Sequence, residues 1–107
     1  MPFSFRDSAM SEIIDESFYD RADEHINLSN EQLKQVENFG KVNASMMFGT
    51  TRFNAWVSAR NFKSGEEMAQ AREAMLKYFC EQYRLMLEDN LDDHIKHFDL
   101  YMGAKQD

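Results

Sequence analysis

Proline occurs once in the 107 residues, glycine four times and cysteine once. A β-sandwich or barrel of this length needs turn residues at closer intervals, so their scarcity argues against one. Long helices joined by few loops do not need them. The lone cysteine, Cys80, has no internal disulfide partner, which makes a reducing compartment, the cytoplasm, the default. Set between Phe79 and Glu81 in a helical stretch, Cys80 is expected to be a small buried apolar residue. Long hydrophobic runs are missing as well. The longest uncharged stretch, Val42 to Thr51, has ten residues, against the roughly 20 that a membrane span requires. Met1 to Met10 lacks the basic and apolar regions of a secretory leader.

Cations are also in short supply. Lys and Arg number 12 against 19 Asp and Glu, a net charge of −7. The imbalance is uneven. Residues 1–33 carry two basic and eight acidic side chains, and residues 64–107 carry five and ten. Between them, residues 34–63 carry Lys34, Lys41, Arg52, Arg60 and Lys63 with only Glu37 opposing. A net anion disfavours docking on a phosphate backbone or an anionic membrane surface, so neither nucleic acid nor membrane is an expected partner.

What is present suits a folded helical protein. Apolar residues make up 43% of the chain, with nine Phe and eight Met, well away from the composition of a disordered segment. The sequence predicts an all-α fold, a small bundle of three main helices at about 12–38, 42–61 and 65–102. A single domain over 11–103 is expected between a loose arm, 1–10, and a short tail, 104–107. In the first helix Ile14, Phe18, Ala22, Ile26, Ser29, Leu33 and Val36 recur three or four apart, one helical face. Ser11 is placed to cap its start and Gly40 to end it. Ser29-Asn30-Glu31-Gln32 reads as an internal capping box at which the helix could restart. The second helix is apolar on most sides, through Val42, Met46, Met47, Phe48, Phe53, Trp56 and Val57. Such a helix is expected to be buried at the bundle centre. Ser64-Gly65-Glu66-Glu67 is a capping box that opens the third.

From Met68 the apolar phase runs on through Met86 and Leu91 to Ile95, Phe98 and Met102. One unbroken helix over 65–102 would be about 57 Å long, against about 30 Å for the second helix. It would leave Leu91, Ile95 and Phe98 uncovered. Either the chain breaks or bends near Asn90, where Asp92 and Asp93 also suit a helix start, or the overhang pairs with another chain. The favoured reading is a break or bend near Asn90 that folds the tail back as a fourth helix. If the overhang pairs with another chain instead, Met86, Leu91, Ile95, Phe98 and Met102 are the candidate interface.

Motifs that carry chemistry are sparse. His94 and His97, with Asp93, are the one weak metal-ligand grouping. The Glu-x-x-His pairs of di-iron bundles, His-Glu-x-x-His and EF-hand spacing are all absent. His25 and Asn30 of the first helix could form a buried polar cluster with Arg52 and Asn54 of the second, able to hold a small anion. Core filling is the ordinary use of the methionines, and a partner-binding groove is the functional one. No nucleophile elbow, phosphate loop or dinucleotide fingerprint occurs. An enzyme is not expected, and no cofactor.

Three stretches together carry a resemblance. They are Phe18-Tyr19-Asp20-Arg21-Ala22-Asp23 leading into His25-Ile26-Asn27-Leu28-Ser29-Asn30-Glu31-Gln32, then Arg52-Phe53-Asn54-Ala55-Trp56, and Glu81-Gln82-Tyr83-Arg84 through Asn90-Leu91-Asp92-Asp93 to Phe98-Asp99-Leu100-Tyr101-Met102. The chain resembles a family of small bacterial proteins classed only as a domain of unknown function. The resemblance covers about 18–102 and implies a bacterial, cytoplasmic protein of helices alone. It supplies no activity and no catalytic residue. The expected function is a protein-interaction or self-associating module, whose partner is a second copy or another protein. The alternative is a small-ligand or metal-binding bundle.

Overall fold

The computed structural model describes residues 14–103. Helix takes 84% of them and no strand occurs among them, so the all-helical class read from the sequence is the observed one. The helices are α1 (Phe18–Val36), α2 (Phe39–Ala59), α3 (Gly65–Gln70), α4 (Arg72–Lys96) and α5 (Phe98–Met102). They fall into two compact units, one over 14–71 and one from Arg72 onward.

In the first unit, the ends of α1 are set by groups other than those expected. Ser11 lies outside the described residues. Asp15 does the work instead: its Oδ1 accepts the Ser17 amide at 3.1 Å and Arg21 at 3.1 Å, and its carbonyl accepts the Phe18 amide. The box at Ser29 to Gln32 does not interrupt the helix. The Ser29 hydroxyl points across to Met46 Sδ of α2, 3.4 Å away. Helix α1 ends at Glu37, not at Gly40. Glu37 takes the left-handed conformation (φ 58°, ψ 38°) and its amide returns to the Leu33 carbonyl, the geometry glycine usually supplies. Gly40 falls in the first turn of α2. The reason is Asn38, in extended backbone, whose Oδ1 accepts the Lys41 amide at 3.0 Å and starts a new helix at once.

This tight joint folds α1 and α2 into a helical hairpin. Beside it, Ser29 and Leu33 face Phe39, Gly40, Val42, Asn43 and Met46 around an open cleft of about 380 Å³. Val42 is the one buried apolar residue among the described residues, 5% exposed, and Ser58 is the one buried polar residue. The expectation that α2 lies buried at a bundle centre is not met. Phe39, Phe48, Phe53 and Trp56 are 80%, 65%, 62% and 61% exposed. An apolar periphery states what a helix can bury, not how much of it a neighbour covers. Thr50 and Thr51 bend their hydroxyls back to the Met46 and Phe48 carbonyls, each at 2.9 Å. The cap that opens α3 forms at Ser64, with the return bond one residue earlier than the box requires. The Ser64 hydroxyl accepts the Glu67 amide at 3.1 Å, and Glu67 Oε1 reaches back to the Lys63 amide at 2.7 Å.

The stretch read as one third helix is interrupted twice, and neither break is at Asn90. Ala71 leaves helical geometry between α3 and α4 (φ −97°, ψ 4°), and His97 does so between α4 and α5 (φ −111°, ψ 31°). Asn90 lies inside α4. Its side-chain amide donates to the Met86 carbonyl one turn back, at 2.9 Å, so it makes no cap. Gly103, left-handed at φ 61°, ends α5.

Candidate functional site

Helix α4 carries two different sides. Met75, Phe79, Gln82, Met86, Asp89, Asp93 and His97, three or four apart, form a half-buried row. Roughly opposite, Leu87, Leu91, Ile95, Phe98 and Met102 form an exposed apolar row that runs on into α5, at 41%, 51%, 72%, 55% and 61% exposure. Four of the five candidate interface residues therefore lie together on the open side. Met86 does not, and belongs to the half-buried row. Leu87, one residue on, is the member that sequence reasoning missed; its spacing of four from Leu91 was the available signal. Cys80 is exposed, not buried as expected. Three and four residue steps from Cys80 lead through Arg84 toward Leu87 and Leu91, away from the row that holds Phe79 and Gln82.

The polar chemistry of this unit gathers where α4 gives way to α5. The His94 Nδ1 lies 2.9 Å from the Asn90 carbonyl. The His97 Nδ1 lies 3.2 Å from both the carbonyl and Oδ1 of Asp93. A carbonyl only accepts, so in the neutral rings Nδ1 carries the proton and Nε2 the lone pair. The other carboxylate oxygen of Asp93 accepts the Tyr101 hydroxyl at 2.9 Å. That bond, and the negative charge behind it, hold the Tyr101 phenol above its ordinary pKa. The Tyr101 ring packs at 4.7 Å from the ring of His94 and 5.7 Å from that of His97.

Asp93, His97 and Tyr101 thus form a bracket across the helix break. The arrangement differs from the metal set that His94, His97 and Asp93 suggested. Asp93 sits on the Nδ1 side of His97, where it orients the ring, and not on the Nε2 side where a metal would bind. Among the described residues no group of three His, Cys, Asp or Glu is placed to hold an ion. Further back on α4, Arg84 pairs with Glu81 at 2.9 Å and with Glu88. The Arg84 guanidinium holds the Glu81 carboxyl below its usual range. These exposed pairs support the helix weakly.

The polar cluster of His25, Asn30, Arg52 and Asn54 is not assembled. His25, Asn30 and Arg52 are exposed, Asn54 is half-buried, and no hydrogen bond or ion pair joins the four. Ser29 and Met46 show which sides of α1 and α2 meet. Arg52 lies about 120° around α2 from Met46 at 100° per residue, and so turns away from that meeting side. What α2 shows outward instead is an aromatic and basic surface. The rings of Phe53 and Trp56 stack at 6.0 Å, and the Arg60 guanidinium sits 5.7 Å from the Trp56 ring centre.

No helix among the described residues is long and apolar enough to cross a membrane. No curated protein matches the chain. Among solved structures, it is similar to the NMR structure of the protein NB7890A from Shewanella sp. The two share 35% sequence identity over 87% of this chain and 98% of that one, with a TM-score of 0.71. Residues 18–95 match the family described as protein of unknown function (DUF3144). With the fold shared and most of its length matched, the chain belongs to that family.

Proposed function

We propose that the protein is a non-enzymatic interaction module that assembles with a second copy of itself. The apolar surface of the single chain carries this proposal. Phe39, Phe48, Phe53 and Trp56 on α2, and Leu91, Ile95, Phe98 and Met102 on α4 and α5, are each more than half exposed. Monomeric soluble proteins seldom leave contiguous apolar patches beyond a few hundred Å² open to water. Three aromatic side chains at about 60% exposure already offer roughly 300 Å². Pairing of two copies places both surfaces under cover without a further partner. The net charge of −7 disfavours a phosphate backbone as the alternative partner. A reducing, cytoplasmic setting suits a chain with one cysteine.

Light scattering across micromolar to millimolar concentration tests the assembly. A mass of twice the chain at the upper end, falling on dilution, is the expected result. Ile95→Glu places a charge in the middle of the open row and should shift the population to single chains with unchanged helicity. A wild-type protein that stays a single chain throughout would refute the proposal.

A further inference from the structure

We infer, building on the self-association proposed above, that the basic aromatic face of α2 docks on the acidic-edged apolar row of α4 and α5 in the second copy, and reciprocally. Phe48, Arg52 and Trp56 follow one another at four-residue steps on one side of α2, with Phe53 and Arg60 beside them. No acidic residue occurs from Asn38 through Gly65, whereas Lys41, Arg52, Arg60 and Lys63 do. The complementary row is Leu91, Ile95, Phe98 and Met102. Asp92 and Asp99 stand three and four residues from Ile95, on its flank. Neither aspartate forms an ion pair among the described residues, and neither does Arg52.

Charge decides between the pairings open to a symmetric dimer. Laying α2 on its own copy sets Arg52 and Arg60 against the same cations. Laying the α4 and α5 row on itself sets Asp92 and Asp99 against the same anions. Like charges brought together across an interface oppose association, and the crossed pairing places opposite charges at both edges. The dimensions agree. Helix α2 is about 31 Å long and the row from Leu87 to Met102 about 22 Å. Two such contacts hide on the order of 1,200 Å² of apolar side chain, within the range of a specific interface. Both faces are open in the single chain, with Trp56 at 61% and Ile95 at 72% exposure.

A charge-exchange experiment in sedimentation velocity tests the crossed pairing. One variant carries Arg52→Glu with Arg60→Glu, the other Asp92→Lys with Asp99→Lys. Each alone should weaken the dimer at least about tenfold, since each opposes like charges at both contacts. An equimolar mixture should regain wild-type association, because every contact in the mixed dimer again joins opposite charges. Should a charge-reversed chain lose its helical circular dichroism, the neutral pair Arg52→Gln with Arg60→Gln takes its place, with a loss of about threefold expected. A dimer indifferent to either pair of changes, or a mixture that fails to recover, overturns the crossed pairing while self-association stands. A wild-type single chain at every concentration defeats both together.

Discussion

The unit over 14–71 and the unit from Arg72 onward hold their helices by different means. The first has a tertiary anchor: Val42 is buried beside the hairpin joint, and Asn38, Ser64 and Glu67 close helix ends with side-chain hydrogen bonds. The second has no buried residue among those described, and its bond from Tyr101 to Asp93 spans only eight residues of chain. Local bonds of that kind support a helix only weakly, and an isolated helix of ordinary length is marginal in water. A 25-residue helix with an open apolar row therefore gains most from a partner, while the hairpin has a small core of its own.

Substitutions in the two units test that contrast. The largest effect belongs to Val42→Asp, which puts a charge at the buried anchor. It should destabilise the hairpin by about 3 kcal/mol or more in urea unfolding. Trp56→Ala, at a side chain mostly in water, should cost about 1 kcal/mol in dilute protein, less than burial at a bundle centre would have required. Next is Asn38→Ala, which removes the cap of α2 and should cost about 1 kcal/mol by the same measurement. Glu37→Gly runs the other way. It relieves a left-handed non-glycine residue and should raise stability by about 0.5–1 kcal/mol.

The smallest effect lies in the second unit, at the bracket of Asp93, His97 and Tyr101. Binding to Asp93 favours the neutral phenol, so the Tyr101 pKa is raised from 10.0. Its contribution is intact at and below the pKa of the unfolded chain and disappears as pH climbs through the raised value. An ultraviolet titration of the four tyrosines should show one late ionisation. Tyr101→Phe should remove that phase and Asp93→Asn should return it to the ordinary range. A single uniform titration in the wild type would remove the bracket from solution.

Local signals in the sequence translated well. The cap at Ser64 formed because its hydroxyl and the Glu67 amide are three residues apart and need nothing else. The open row of Leu91, Ile95, Phe98 and Met102 was visible as a continuing phase. Where two local signals competed, the stronger geometry prevailed. Asn38 began α2 before Gly40 could end α1, and Asn90 bonded one turn back inside α4. Global placement was not legible. Pattern shows that α2 is apolar around its circumference, but coverage depends on a neighbour that pattern does not locate. The cluster of His25, Asn30, Arg52 and Asn54 failed for the same reason, since composition suggests company and only the register of two helices decides it. The bracket of Asp93, His97 and Tyr101 had a signal in its four-residue spacing, with the hydroxyl of Tyr101 as its third member.

The folded-back hydroxyls of Thr50 and Thr51 have a consequence for how α2 can behave. Moving a helix from water to an apolar contact usually strands its polar side chains, each of which loses a hydrogen bond to solvent. On α2 the two threonines already bond to the Met46 and Phe48 carbonyls. They lie inside a stretch, Val42 to Thr51, without a charge. Those two side chains can therefore dehydrate with little loss, and rehydrate as easily. A surface of that kind suits contacts that form and dissolve with concentration.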